Sequence, residues 1–98
     1  MIELNYKEVL TQASELENIS EEIKALVAGT LTRGLDELQN AWSGDSANLF
    51  ARKCNALYDD INKTAMSLGR FAGVVRKTAE TFRDVEEAAK KTISVIGL

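Results

Sequence analysis

Apolar residues return every three or four positions along nearly the whole chain, with one interruption near its middle. The first row covers residues 6–41 and includes Val9, Ala13, Leu16, Ile19, Ile23, Leu26, Val27, Leu31, Leu35 and Leu38, ending at Trp42. That spacing is one face of an α-helix. Asn5 is the favoured cap, with Glu8 in the capping-box position three residues on. Gly29 and Gly34 weaken this helix by up to about 1 kcal/mol each relative to alanine, and mark a bend or a close contact. The second row is more regular: Phe50, Cys54, Leu57, Ile61, Ala65, Leu68, Ala72, Val75, Ala79 and Phe82, extended by Ala89, Ile93 and Ile96. This is coiled-coil periodicity.

Between the rows lies Trp42-Ser43-Gly44-Asp45-Ser46. Gly44 is free to take a positive φ and end the first helix, and Asp45 or Ser46 to cap the second. With no proline anywhere, nothing else forces a break. The pattern predicts one all-α domain over residues 1–98, an antiparallel helix-turn-helix hairpin. Its first helix spans about residues 5–41, its turn 42–46 and its second helix about 46–94. A link this short folds the helices back on each other.

Two helices cannot enclose a core. Leu26 beside Val27, Leu49 beside Phe50 and Leu57 beside Tyr58 widen the apolar stripe beyond a strict seam. A second apolar surface calls for a partner, most simply another hairpin in a four-helix bundle. The candidates for the helix seam and the dimer interface are Leu16, Ile23, Leu26, Leu38, Phe50, Leu57, Ile61, Leu68 and Val75.

Composition narrows the function. The 98 residues include no histidine and one cysteine, Cys54, so no Ser-His or Cys-His pair and no multi-cysteine zinc site is available. Cys54 lies on the apolar row and reads as a small buried hydrophobe. Asp59-Asp60 and Glu86-Glu87 diverge around the helix and read as surface charge. Gly69 and Gly73 read as a close-approach pair between helices. No enzyme activity, cofactor or metal is expected. The net charge of −3 offers no positive field for nucleic acid. Residues 1–41 carry three basic and eight acidic side chains, residues 42–98 nine and seven, so the arms attract weakly. No apolar run approaches the roughly 18 residues of a membrane span, and the start of the chain lacks the pattern of a cleavable signal peptide.

A hairpin of this length with Trp42-Ser43-Gly44 near its midpoint resembles the WXG family of small type VII secretion substrates and partners. Trp-x-Gly alone is a weak mark, expected by chance in roughly one in ten chains of this size. Its strength lies in its central place between helices and in a second mark. The family carries Tyr-x-x-x-Asp/Glu late in the second helix as part of its export signal. Here Phe82-Arg83-Asp84-Val85-Glu86 keeps the glutamate and replaces the tyrosine by phenylalanine. The resemblance implies a non-enzymatic protein made in a bacterial cytoplasm and secreted by the type VII route without a cleavable signal peptide. It would pair with itself or with a related helical protein and be read by the membrane-bound ATPase of the secretion machinery, at Phe82 and Glu86. The phenylalanine resembles accessory proteins that accompany a larger toxin, so a targeting partner or chaperone stands beside the substrate role. A cytoplasmic helical adaptor stands outside both. Folding about Ser43 sets Phe82 opposite Leu4, with the rest of the second helix projecting. In a head-to-tail dimer Trp42 would then approach the other subunit's Phe82 and Glu86. Packing roles for Trp42 and Phe82 remain open at this point.

Overall fold

The computed structural model describes residues 5–97. Two helical arms lie antiparallel in an elongated hairpin, and among the described residues there is no strand. The first arm comprises α1 (Tyr6–Leu26), a π-helical turn (Val27–Leu31) and α2 (Thr32–Ala41). The second is a single helix, α3 (Asp45–Val95), of 51 residues. At 1.5 Å per residue it accounts for the 80 Å length of the molecule, whose other extents are 16 and 15 Å.

Local chemistry sets the ends. Asn5 Oδ1 accepts the Glu8 N–H at 3.1 Å, which satisfies one of the free donors of α1. Trp42 turns extended (φ −137, ψ 126) and stops α2. Gly44 then takes φ 109, ψ −179, a conformation essentially reserved for glycine, and its carbonyl accepts the Asn48 N–H at 3.0 Å. The turn is therefore residues 42–44, shorter than the 42–46 of the sequence reading. Neither Asp45 nor Ser46 caps α3. Gly44 holds the cap position without a side-chain bond, and Asp45 sits in the first turn, where its charge suits the helix dipole.

The seam between the arms is built from small residues seven apart. Ala13, Ser20 and Val27 line it on the first arm; Ala51, Ala65, Ala72 and Ala79 line it on α3. Tyr58, half-buried, fills the remaining heptad place. Small side chains let the backbones close up. Ser20 Oγ donates to the Ala65 carbonyl across the seam at 2.6 Å. A Cβ on Gly69 would stand only 3.1 Å from that oxygen, so Gly69 is a close-approach residue; Gly73 faces open space and is not. Cys54 lies half-buried at the flank and not in the seam, because Ala51 and Tyr58 occupy the inward places.

From Val27 the next buried residue is Leu35, eight positions on. In an unbroken α-helix eight residues would leave Leu35 about 80° off the face, against about 20° for seven. The π turn absorbs the extra residue and returns Leu35 to the seam. Thr32 Oγ1 donates to the Val27 carbonyl at 2.6 Å, supporting the widened turn. Gly29 lies within it.

A hairpin this thin hides little. The radius of gyration is 22.6 Å, against about 13 Å for a compact chain of 100 residues. The accessible surface is 7458 Å², where a compact chain of this mass exposes about 5,500 Å². No helix among the described residues is long and apolar enough to cross a membrane.

Candidate interaction site

At the turn, Trp42 packs on Phe50 of α3, with ring centroids 5.7 Å apart and planes tilted by 46°. The contact braces the end of the hairpin, yet Trp42 stays 42% exposed and Phe50 43%. The turn thus presents an aromatic pair to its surroundings.

At the open end, the Tyr6 hydroxyl donates to Glu86 Oε2 at 2.8 Å, joining residues 80 apart in sequence. Glu86 is half-buried on the seam row, seven residues beyond Ala79, and not the freely solvated charge its neighbours suggest. Withdrawal from water, the hydrogen bond to Glu86 and the carboxylates of Glu86 and Glu87 push the Tyr6 phenol from 10.0 up to about 12, against the opposing charge of Arg83. Phe82 lies one turn before Glu86 and is 56% exposed. With Val74, Lys77, Thr78 and Thr81 it lines a shallow groove of about 320 Å³ on the outside of α3.

One charged cluster fixes the register midway. Arg76 donates to Glu17 Oε1 through Nε at 3.1 Å and Nη2 at 3.0 Å, and to Ser14 Oγ at 2.9 Å. It is the one ion pair joining the arms among the described residues. Half exposed, it contributes about 1 kcal/mol or less. At the open end the long side chains of Tyr6 and Arg76 reach Glu86 and Ser14, further along than the pairing of Phe82 with Leu4 that a fold about Ser43 predicts. Phe82 therefore lies within the paired length. Leu4, the position expected opposite Phe82, lies outside the described residues.

The seam and interface candidates divide. Leu16, Ile23, Ile61, Leu68 and Val75 are half-buried beside the alanine row. Leu26, Leu38, Phe50 and Leu57 are exposed. Phe71, Val74, Val85 and Ile19 add to the exposed apolar surface. Among the described residues no cluster of His, Cys, Asp or Glu is arranged to hold a metal ion.

A family model, WXG100, described as proteins of 100 residues with WXG, matches residues 1–87. The chain belongs to the WXG100 family. Its members are small helical proteins associated with type VII secretion, typically pair with each other and are not known as enzymes. No curated protein and no solved structure matches the chain. In this WXG100 protein the motif residues Trp42, Ser43 and Gly44 form the turn itself. Phe82 and Glu86 lie at the opposite end of the rod, where Tyr6, the first residue of the first apolar row, meets Glu86. Tyr6 was within reach of the pattern, since it precedes Ala13 by seven on the buried row. What placed it against Glu86 was the register between the arms, and a turn shorter or longer by two residues would have moved it half a helical turn away.

Proposed function

We propose that this protein is a non-enzymatic interaction module exported as a dimer by a type VII secretion system. One observation carries the role: a WXG100 match over residues 1–87 whose Trp-x-Gly forms the single turn of an elongated hairpin. Dimerisation is supported by the apolar outer surface. The chain exposes roughly 1,900 Å² more than a compact fold of its mass, more than the roughly 800 Å² per partner of a standard interface. Leu57, Phe71 and Phe82, each more than half exposed, belong to that surface. A second hairpin covers it in a four-helix bundle. Phe82 and Glu86 serve as the export determinants, and Trp42 of the opposite subunit lies near them in a head-to-tail pair.

The test compares culture supernatants of a bacterium carrying the system with those of a strain whose secretion ATPase cannot hydrolyse ATP. The protein is expected outside only in the first; equal amounts outside both refute export by this route. Light scattering of the pure protein is expected to give twice the chain mass, and a stable, folded monomer at micromolar concentration removes the dimer. A second reading is a targeting partner for a larger helical protein. It is favoured by the end of the second arm, where Ile93 on α3 and Ile96 at its C-cap are exposed beyond the contact of Tyr6 with Glu86. Preferential capture of a larger helical protein over self-association, on co-expression with neighbouring genes, separates the two.

A further inference from the structure

We propose that Tyr6 is a third member of the docking patch at the open end. It supplies from the first arm the phenolic hydroxyl that Phe82 lacks. Ring, hydroxyl and carboxylate then form one surface, present only on the folded hairpin, that takes a protein carrying an arginine or lysine beside an apolar recess. This rests on the reading of Phe82 and Glu86 as export determinants.

Four observations converge on it. The Tyr6 hydroxyl lies 2.8 Å from Glu86 Oε2, and both residues are half-buried, so they are ordered against each other and still reachable. Phe82 stands one turn before Glu86 on the same side of α3, more than half exposed, at the edge of the shallow groove with Val74 and Thr78. The phenol gives its only proton to Glu86, so what the pair offers outward is lone pairs: the phenolic oxygen and the rest of the carboxylate. An acceptor-only pair beside an exposed ring matches a guanidinium, which forks onto acceptors and stacks on aromatic faces. Local charge agrees. The carboxylates of Glu86 and Glu87 both act on the Tyr6 phenol, against the opposing charge of Arg83, which lies 3.6 Å from Asp84.

The experiment measures the exported fraction of full-length variants in a bacterium carrying the secretion system, with helicity checked by circular dichroism. Tyr6→Phe is expected to lower export roughly five- to tenfold, the worth of about one hydrogen bond, with helicity unchanged. Adding Phe82→Tyr to Tyr6→Phe returns the hydroxyl from the other arm and is expected to restore most of the export, which a merely structural role for Tyr6 would not allow. Export of Tyr6→Phe at or above the level of the unmodified protein overturns the inference, and an increase would mean that Tyr6 masks Glu86. A double variant as poorly exported as the single one also overturns it, whether or not helicity holds. Glu86→Gln separates the layers. Blocked export of Glu86→Gln with unaffected Tyr6→Phe removes only the role of Tyr6. Normal export of Glu86→Gln removes Glu86 as a determinant, and this inference with it.

Discussion

The two faces of α3 differ in the size of what they carry. Toward the first arm it presents Ala51, Ala65, Ala72 and Ala79, all nearly inaccessible. A third of a turn away it presents Phe50, Leu57, Phe71 and Val85, all exposed. Small residues let two backbones approach and gain close contact and a cross-seam hydrogen bond from Ser20. Large ones hold apolar area at a distance, where only another molecule covers it. On α3 the smallest apolar side chains therefore pack inward and the largest stay exposed, the reverse of an ordinary globular core.

Overpacking the inner face should have the largest effect. Ala65→Leu places three extra carbons where no space exists and is expected to cost about 2–3 kcal/mol. Thermal unfolding followed by circular dichroism should show the midpoint lowered by roughly 10–20 °C. A change within two degrees would mean that the arms do not meet along the alanines. On the outer face, Phe71→Asp should weaken self-association by a factor of about thirty, near 2 kcal/mol, read by sedimentation equilibrium. An unaltered dimer after that change would place the partner elsewhere.

Deleting Ala28 from the π turn tests why the seam runs straight past residue 31. The step from Val27 to Leu35 then falls from eight to seven residues, and an ordinary α-helix keeps Leu35 on the inner face. The stability change in denaturant unfolding is expected to stay under about 1 kcal/mol, although a deletion inside a packed helix ordinarily rotates everything beyond it. A loss above about 2 kcal/mol would show that the wide turn has a role beyond phase correction.

The smallest effect concerns the open end. The Tyr6 phenol is raised in the folded protein, so its contact with Glu86 contributes fully below pH 10.0 and is lost as pH rises toward about 12. Ultraviolet difference titration of the protein against Tyr6→Phe should place this phenol near 12, and Glu86→Gln should bring it down. An ordinary phenol titration at Tyr6 would show that the two residues do not meet in solution.

Much of this was legible in the apolar spacing. Both arms, the Asn5 cap and the glycine turn follow from period and local chemistry, because each involves residues only a few positions apart. The face that packs inward was less legible. The row Ala65-Ala72-Ala79 and the row of larger neighbours Ile61, Leu68 and Val75 run side by side, and hydrophobicity alone favours the larger set. Glu86 looked like surface charge because its partner lies 80 residues away.

By itself the sequence determined two amphipathic helices, the place where they part and a surplus of apolar side chains beyond what one hairpin hides. Those features depend on helical period and on glycine's freedom at Gly44, which act within a turn or two of chain. Tertiary structure alone decided that the alanines and Ser20 face inward, that a π turn repairs the phase before Leu35, and that Tyr6 reaches Glu86. The physical reason is register: how two arms slide and rotate against each other is set by packing summed along the whole 80 Å rod, and no local stretch of sequence contains that sum.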